Sequence, residues 1–477
     1  MDKERKKRLQ TIRLIITEVI MVVAVIITVI VLTFVAMGYN VDKNGELNQS
    51  GLAQIKSTPS GATVTIDGNT LLLHTNTSRM LDAGEHHIVL EKDGYTSWGK
   101  DVSIQSGILL KLDYPRLFYE ERTPEIVREL KTDFEIFSVS KDRNQILYKT
   151  KKSVLENTQP QGLSTTDSLA REKPFVLLNI RGDEVTETTI DFSEIIKYRE
   201  ILNISWSSNN DHLLVKTKNH DKIEWLILNL KNPENSSNIT ADYGLNFSDV
   251  RFMDPNNDRL IATENGNLRN ISISEHSMSE ALAKNVKSFT YNNGATAYLT
   301  NDHILYLLSE DTNNVLLKRF STESSIEFLL SSYLDRKYIA FFENNRFYVY
   351  QGNTLPTKDA GLDSFTVVLE SDIDFTPSDF YIWSEDEFFV AIEGNKIALF
   401  DTELDQLSRY DVEGDSAYFL DDYLIGTIKD NKLIVYDFDG TNRRELAEAT
   451  GLATIAKNNK YLYYQNGQTI VREKILN

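Results

Sequence analysis

The chain of 477 residues contains no cysteine. That absence excludes a disulfide framework, thiol catalysis and any metal held by thiolates, so stability must come from packing. Histidine is scarce, and His74, His212, His220, His276 and His303 stand apart, without His-x-x-x-His or Glu-x-x-His spacing. A metal or acid–base cluster would depend on tertiary proximity alone. No Gly-x-Ser-x-Gly elbow occurs, which removes the nucleophile of an α/β-hydrolase. Positive charge is short as well. Lys and Arg number 51 against 70 Asp and Glu, a net −19; the first forty residues carry +3, which leaves −22 beyond them. A surface of that sign repels phosphate polymers, so nucleic acid is not an expected partner, and the doublets Lys151-Lys152 and Arg443-Arg444 read as solvated turns.

The amino end is the exception to this acidity. Lys3, Arg5, Lys6, Lys7, Arg8 and Arg13 precede residues 19–37, an apolar run without a charge. Nineteen residues at 1.5 Å each cover about 29 Å, one bilayer core, and the basic cluster favours an inside amino terminus. The run is longer than the 7–15 apolar residues usual in a cleaved signal peptide, so we read it as a single-pass anchor. Glu18 sits where a carboxylate can snorkel to water. The implied division is a basic cytoplasmic tail over 1–13, a transmembrane helix over 14–39 that makes the membrane the first partner, and a polar tether over 40–52. A small β domain over 53–113, a linker over 114–124 and a large β domain over 125–477 follow outside the cytoplasm.

In the small domain, residues 53–57, 62–66 and 86–90 alternate as strands, and Asp67-Gly68-Asn69 supplies a hairpin turn. Pro59-Ser60-Gly61-Ala62-Thr63-Val64-Thr65-Ile66-Asp67-Gly68 resembles the signature of the PEGA domain. Ala83-Gly84-Glu85-His86-His87, running to Leu90 and then Gly94-Tyr95, resembles that family's second half. The sequence departs from the pattern at Ser60 and between Asn69 and Met80. The resemblance implies a small β-sandwich common in bacterial surface proteins, with no catalytic residue to carry over. His86 and His87, neighbours on a strand, point to opposite faces and cannot share one metal.

Beyond residue 133 no helical periodicity persists, and one strand recurs instead: 145–149, 212–216, 259–263, 295–299, 337–341, 387–391, 423–427 and 460–464. The spacing averages 45 residues, near the period of a four-stranded propeller blade. The final unit offers only three strands, and a closed ring cannot leave that edge bare. Residues 125–130 are the right length to fill it. The expected fold is therefore all-β after the helix, with a β-propeller of eight blades closed by strand 125–130; seven blades is the alternative. The stretches 204–214 and 435–446 resemble repeats of TolB-type and dipeptidyl-peptidase-type propellers, which supports the architecture and leaves the ligand open.

Little in the sequence announces chemistry. Asp437-Phe438-Asp439-Gly440 lacks the downstream acid of a calcium loop and reads as a hairpin turn. Arg181-Gly182-Asp183 spells an integrin-binding tripeptide on a turn that needs a glycine anyway. The Asn-x-Ser/Thr sequons, from Asn48 to Asn270, are idle in a bacterium. We expect no cofactor, no metal and no enzyme activity, but a membrane-anchored envelope protein binding an extracytoplasmic protein or glycan. An enzyme or enzyme subunit with a propeller pocket, and a purely structural spacer, are the alternatives. Loops joining second to third strands and links between blades emerge on one side, carrying the long insertion at 151–173. On that side we place the expected ligand contacts Tyr198, Arg199, Tyr243, Asp372, Asp374 and Phe375.

This topology is directly testable. Protease added to intact protoplasts should digest the chain beyond residue 40; protection of the carboxyl-terminal part would reverse the orientation.

Overall fold

The computed structural model describes residues 2–36, 39–41, 47–130, 132–151, 175–253, 258–309 and 314–476. Apart from Lys151, the insertion at 151–173 lies outside them. Helix Asp2–Ala36 is continuous, and its segment Arg13–Phe34, with mean hydropathy 3.0 and no buried residue, is long and apolar enough to cross a membrane. The remainder of the chain is built almost wholly of strands and separates into two compact units, Met1–Arg122 with Ile475–Asn477, and Thr123–Lys474. Ile475 and Leu476, expected in the large domain, join the first unit, where the Tyr119 N–H donates to the Ile475 carbonyl at 3.0 Å.

In the first unit the expected tether is a hairpin: Tyr39–Val41 pairs with Leu47–Gln49, Tyr39 opposite Gln49. Two sheets follow. One orders Asn69–His74, Thr63–Ile66, Gly84–Glu91 and Trp98–Ile104; the other orders Thr77–Leu81, Gly51–Ile55 and Leu109–Leu112. Alternation sends Ala53, Ile55, Val64, Ile66, Ile88, Leu90, Trp98, Val102 and Ile104 inward, and all are buried. His86 and His87 bond separate carboxylates, Asp67 at 2.7 Å and Asp101 at 2.6 Å.

Among the described residues the second unit holds eight four-stranded antiparallel sheets. Each recurrent segment read from the sequence overlaps the second strand of one of them, from Gln145–Thr150 to Tyr461–Asn466, with at most its first residue outside. These second strands are nearly continuous apolar runs because both of their faces are covered. Leu147, Val215 and Leu226 pack the first sheet on the second; Leu214, Ile227 and Leu260 the second on the third; Ile261 and Phe289 the third on the fourth. The series continues through Leu299 with Phe341, then Tyr338 with Phe389, while Phe388 stacks on Phe438 at 4.8 Å. Ile455 N–H then bonds the Leu420 carbonyl. Ile146 and Tyr148 of the first sheet share a cluster with Tyr463 and Ile470 of the eighth.

The eighth sheet draws its fourth strand from the front of the unit. Pro124–Glu129 lies antiparallel along Thr469–Lys474, with a bulge between Ile126 and Arg128. Arg472 donates to Glu125 at 2.8 Å and lies 5.0 Å from the centre of the Tyr461 ring. The Arg472 guanidinium in turn holds the Glu125 carboxyl below its usual range.

Because this pairing joins the two ends of the unit, replacing residues 124–130 by a Gly-Ser linker should lower the melting temperature of the whole unit in one transition. An unchanged calorimetric trace would show that the pairing carries no weight.

Candidate functional site

Among the described residues, three of the turns that join first to second strands have one construction. In Ser140-Lys141-Asp142-Arg143-Asn144 the Asp142 carboxylate accepts from the Ser140 hydroxyl at 2.7 Å and the Asn144 N–H at 3.1 Å. In Ser207-Ser208-Asn209-Asn210-Asp211 the Asn209 side chain accepts from Ser207 at 2.9 Å and the Asp211 N–H at 3.0 Å. In Ala456-Lys457-Asn458-Asn459-Lys460 the Asn458 side chain accepts from the Lys460 N–H at 2.9 Å. The next residue is left-handed each time, with φ of 54° at Arg143, 58° at Asn210 and 58° at Asn459. Side-chain oxygens thus reinforce the backbone turn bonds from Arg143 to Ser140, Asn210 to Ser207 and Asn459 to Ala456. Lys141, Ser208 and Lys457 occupy the same position in the three turns.

Those positions converge on one cavity of 560 Å³, lined by Lys141, Asp142, Arg143, Ser208, Asn292, Ile382, Trp383, Ser384, Glu385, Asp386, Asp422 and Lys457. Six of the eight sheets contribute. The volume falls in the range of about 300–1,000 Å³ common for small-ligand sites.

Arg143, Trp383 and the turn 384–386 are the fixed parts of the cavity wall. Arg143 forks onto Asp422 at 2.6 and 2.9 Å, and its Nε donates to the Ile455 carbonyl at 3.1 Å. Burial alone would lower the Arg143 pKa; the Asp422 carboxylate reverses that and raises it. The Trp383 indole N–H donates to the Asp421 carbonyl at 2.9 Å, and the ring stacks on Phe419 at 4.8 Å. Ser384, Glu385 and Asp386 form a left-handed run, with φ of 54°, 47° and 73°. L-residues resist this conformation by about 1–2 kcal/mol each, so the surroundings must impose it. They do so through Ser331, which donates to the Asp386 carbonyl at 3.0 Å, and Asn292, which donates to the Asp386 carboxylate at 3.0 Å.

The charges left over face the cavity. Among the described residues no carboxylate is ion-paired with Lys141 or Lys457. Solvent reaches Lys141, yet the surrounding wall removes enough water to lower its pKa, against the pull of Asp386. Asp386 is shifted the other way, raised by burial despite Asn292, Lys141 and Lys337. A cation and an anion thus share a partly dehydrated pocket without neutralising each other by contact.

None of the six residues proposed from the sequence lines this cavity. Arg199 is held by Glu224 at 2.5 Å and by the Ile195 carbonyl at 2.7 Å. Tyr243 donates to the Ser272 carbonyl at 3.0 Å and stacks on His276 at 4.8 Å. Asp374 pairs with Lys396 at 2.9 Å, and Asp372 lies 3.6 Å from Arg346. Phe375 is buried beside Ile373 and Phe389. Tyr198 is exposed, with Lys197 over its ring at 5.2 Å. These residues belong to three separate links between sheets, at the ends opposite the first turns, because antiparallel strands alternate direction. Asp437, Asp439 and Asn442 close their turn on one another, Asn442 donating to Asp437 at 2.9 Å. The 181–183 tip is tied by its backbone: Asn458 donates to the Gly182 carbonyl at 2.9 Å and Arg472 to the Asp183 carbonyl at 2.9 Å. The repeated Ser/Ala-x-Asp/Asn turn was the available signal for Lys141 and Lys457; Trp383 and Asp386 carried none.

Residues 50–116 match the PEGA domain family, which assigns the small β unit to that domain. No curated protein matches the chain. Among solved structures, the computationally designed Ika8 protein is 8% identical, with a TM-score of 0.42 over 74% of this chain and 98% of its own. Hsv2p of Kluyveromyces lactis is 9% identical, with a TM-score of 0.40 over 66% and 98%. PorZ, a surface component of the type-IX secretion system of Porphyromonas gingivalis, is 11% identical, with a TM-score of 0.41 over 71% of this chain and 42% of its own. Likenesses this distant do not bear on function.

Glu387 backs the strained turn from inside. Burial and the neighbouring Asp401 push its carboxyl up to about 8, while Ser384 donates to it at 3.1 Å. A raised folded pKa means that the unfolded chain releases its proton first, so stability present below pH 4.5 is lost as pH rises toward 8, at roughly 1.4 kcal/mol per unit at most. Glu387→Gln should flatten that decline and raise the melting temperature at pH 8 relative to the natural chain. Superimposable pH profiles would contradict the shift.

Proposed function

We propose that the second unit is an eight-bladed β-propeller outside the cytoplasmic membrane of a bacterium, anchored by the amino-terminal helix, and that it binds a glycan without catalysing a reaction. Eight four-stranded sheets, each packed on the next and the eighth on the first, support the ring. The apolar span with its basic amino end supports the anchor and its orientation.

The cavity is the observation that carries the choice of ligand. An immobilised indole offers a face to the C–H surface of a sugar ring, while Asp386 and Glu385 offer the carboxylate oxygens that hydroxyls seek. Lys141 and Lys457 add unpaired donors that favour a sugar bearing a carboxylate or another acidic group. The asymmetry of the lining, with apolar Ile382 and Trp383 beside these polar groups, gives such a ligand one orientation.

A glycan array probed with residues 41–477 should show retention of acidic oligosaccharides, and Lys141→Ala combined with Lys457→Ala should weaken it more than roughly tenfold at an unchanged melting temperature. Retention unaffected by the double substitution would place the site elsewhere. A protein as the retained partner would replace the glycan, and chemical change in the retained sugar would make the chain an enzyme.

A further inference from the structure

The small domain exposes an apolar row that its own fold does not use. In the three-stranded sheet Leu52 sits directly opposite Met80 on one side and Leu109 on the other. Their inward neighbours Ala53 and Ile55 are fully buried, whereas Leu52, Met80 and Leu109 keep 36%, 42% and 42% of their surface exposed, and Ile108 beside them 54%. The row thus spans all three strands of the outer face. Along the same face the next positions are Ser78, Gln54 and Lys111, and then Lys56, so the face grades from apolar to cationic.

The short path from the apolar helix to this row decides what covers it. Thirteen tether residues fully extended would reach about 45 Å. The hairpin cancels that reach, since Gln49 returns opposite Tyr39, three residues beyond the helix, and Leu52 lies three residues further. Two such steps of about 10 Å and one strand spacing place Leu52 within about 25 Å of the helix end. The Tyr39 ring meets Phe34 of the helix edge-on at 5.2 Å, which ties the hairpin to the span. Gly51 seats the strand start against the 104–108 turn, where a Cβ would come within 2.5 Å of the Gln105 carbonyl, and Leu52 N–H bonds the Ile108 carbonyl at 3.0 Å.

We propose that Met80, Leu52, Ile108 and Leu109 rest in the interfacial layer of the same bilayer that the helix crosses, with Lys111 and Lys56 at the depth of the lipid phosphates. The apolar side chains dip among the headgroups, and the lysines beyond them meet the anionic layer, the order in which interfacial segments present these chemistries. The domain is then fastened to the membrane at two points instead of swinging on a leash. This inference rests on the reading of the helix as a membrane span.

The cysteine-free chain permits a direct test. The full chain carrying Leu109→Cys, labelled with an environment-sensitive fluorophore, is reconstituted into phosphatidylcholine–phosphatidylglycerol vesicles with or without brominated acyl chains. Val25→Cys reports insertion, and Lys218→Cys, on an exposed strand position of the large unit, reports the aqueous baseline. The inference expects emission from position 109 to shift to the blue and bromolipid to quench it at least about twofold more than position 218. Quenching at 25 with none at 109 above the baseline overturns the docking while leaving the anchor intact. Absence of quenching at 25 overturns the anchor and the docking together.

Discussion

The large unit depends on one pairing, that of strand Pro124–Glu129 with Thr469–Lys474. Every other sheet is assembled from consecutive strands and could form locally. The eighth cannot, because its outer strand comes from some 340 residues earlier in the chain. Without that strand, the backbone groups of Thr469–Lys474 would present an open edge, and the cluster that holds Tyr463 and Ile470 against Ile146 and Tyr148 would lose Val127 and Leu130 from its margin. Loop-closure entropy opposes such a distant contact, growing by about 0.6 kcal/mol for each doubling of the loop. Arg472 helps offset it, tying together Glu125, the Asp183 carbonyl and the Tyr461 ring.

Closure also accounts for the cavity. Once the sheets pack in sequence with the eighth on the first, the turns between their first and second strands gather at one end, and side chains far apart in the chain become neighbours. Arg143 reaches Asp422, 279 positions away, and Asn292 reaches Asp386, 94 positions away. In a chain so acidic, such crowding would ordinarily set carboxylates against one another. Turn N–H groups and hydroxyls absorb Asp142, and Arg143 absorbs Asp422, which leaves the unpaired lysines to define the character of the pocket. The left-handed run at 384–386 is the conformational cost of aiming Glu385 and Asp386 there.

The first unit obeys a different constraint. Its two sheets bury one face each, and the docking proposed for it would set an outer face with apolar residues at one end and lysines further along against a surface graded the same way. A bilayer interface is such a surface, and the hairpin after the helix keeps it within reach. Two features thus divide the work proposed for the chain, the outer face of the small domain toward lipid and the cavity of the second unit toward a glycan.

How far the sequence speaks follows from the range of the forces that write each feature. The apolar span, the hairpin turn at Asp67-Gly68, the PEGA-like strands and the 45-residue recurrence are local patterns, set by desolvation of neighbouring side chains and by turn stereochemistry, so they stand in the sequence unaided. Strand alternation likewise fixed which residues of Gly51–Ile55 point inward. The sequence favoured aromatic-rich links as contacts because aromatics beside charges look like anchors. Tertiary packing instead placed Phe375 in a core, set Tyr243 against His276 and locked Arg199 onto Glu224, because a large side chain gains more free energy under its own loop than in water. The cavity lay beyond sequence reading for the converse reason. Lys141, Asn292, Trp383 and Asp386 share no local pattern, and only the packing of distant sheets brings them together and removes the water that would otherwise screen them.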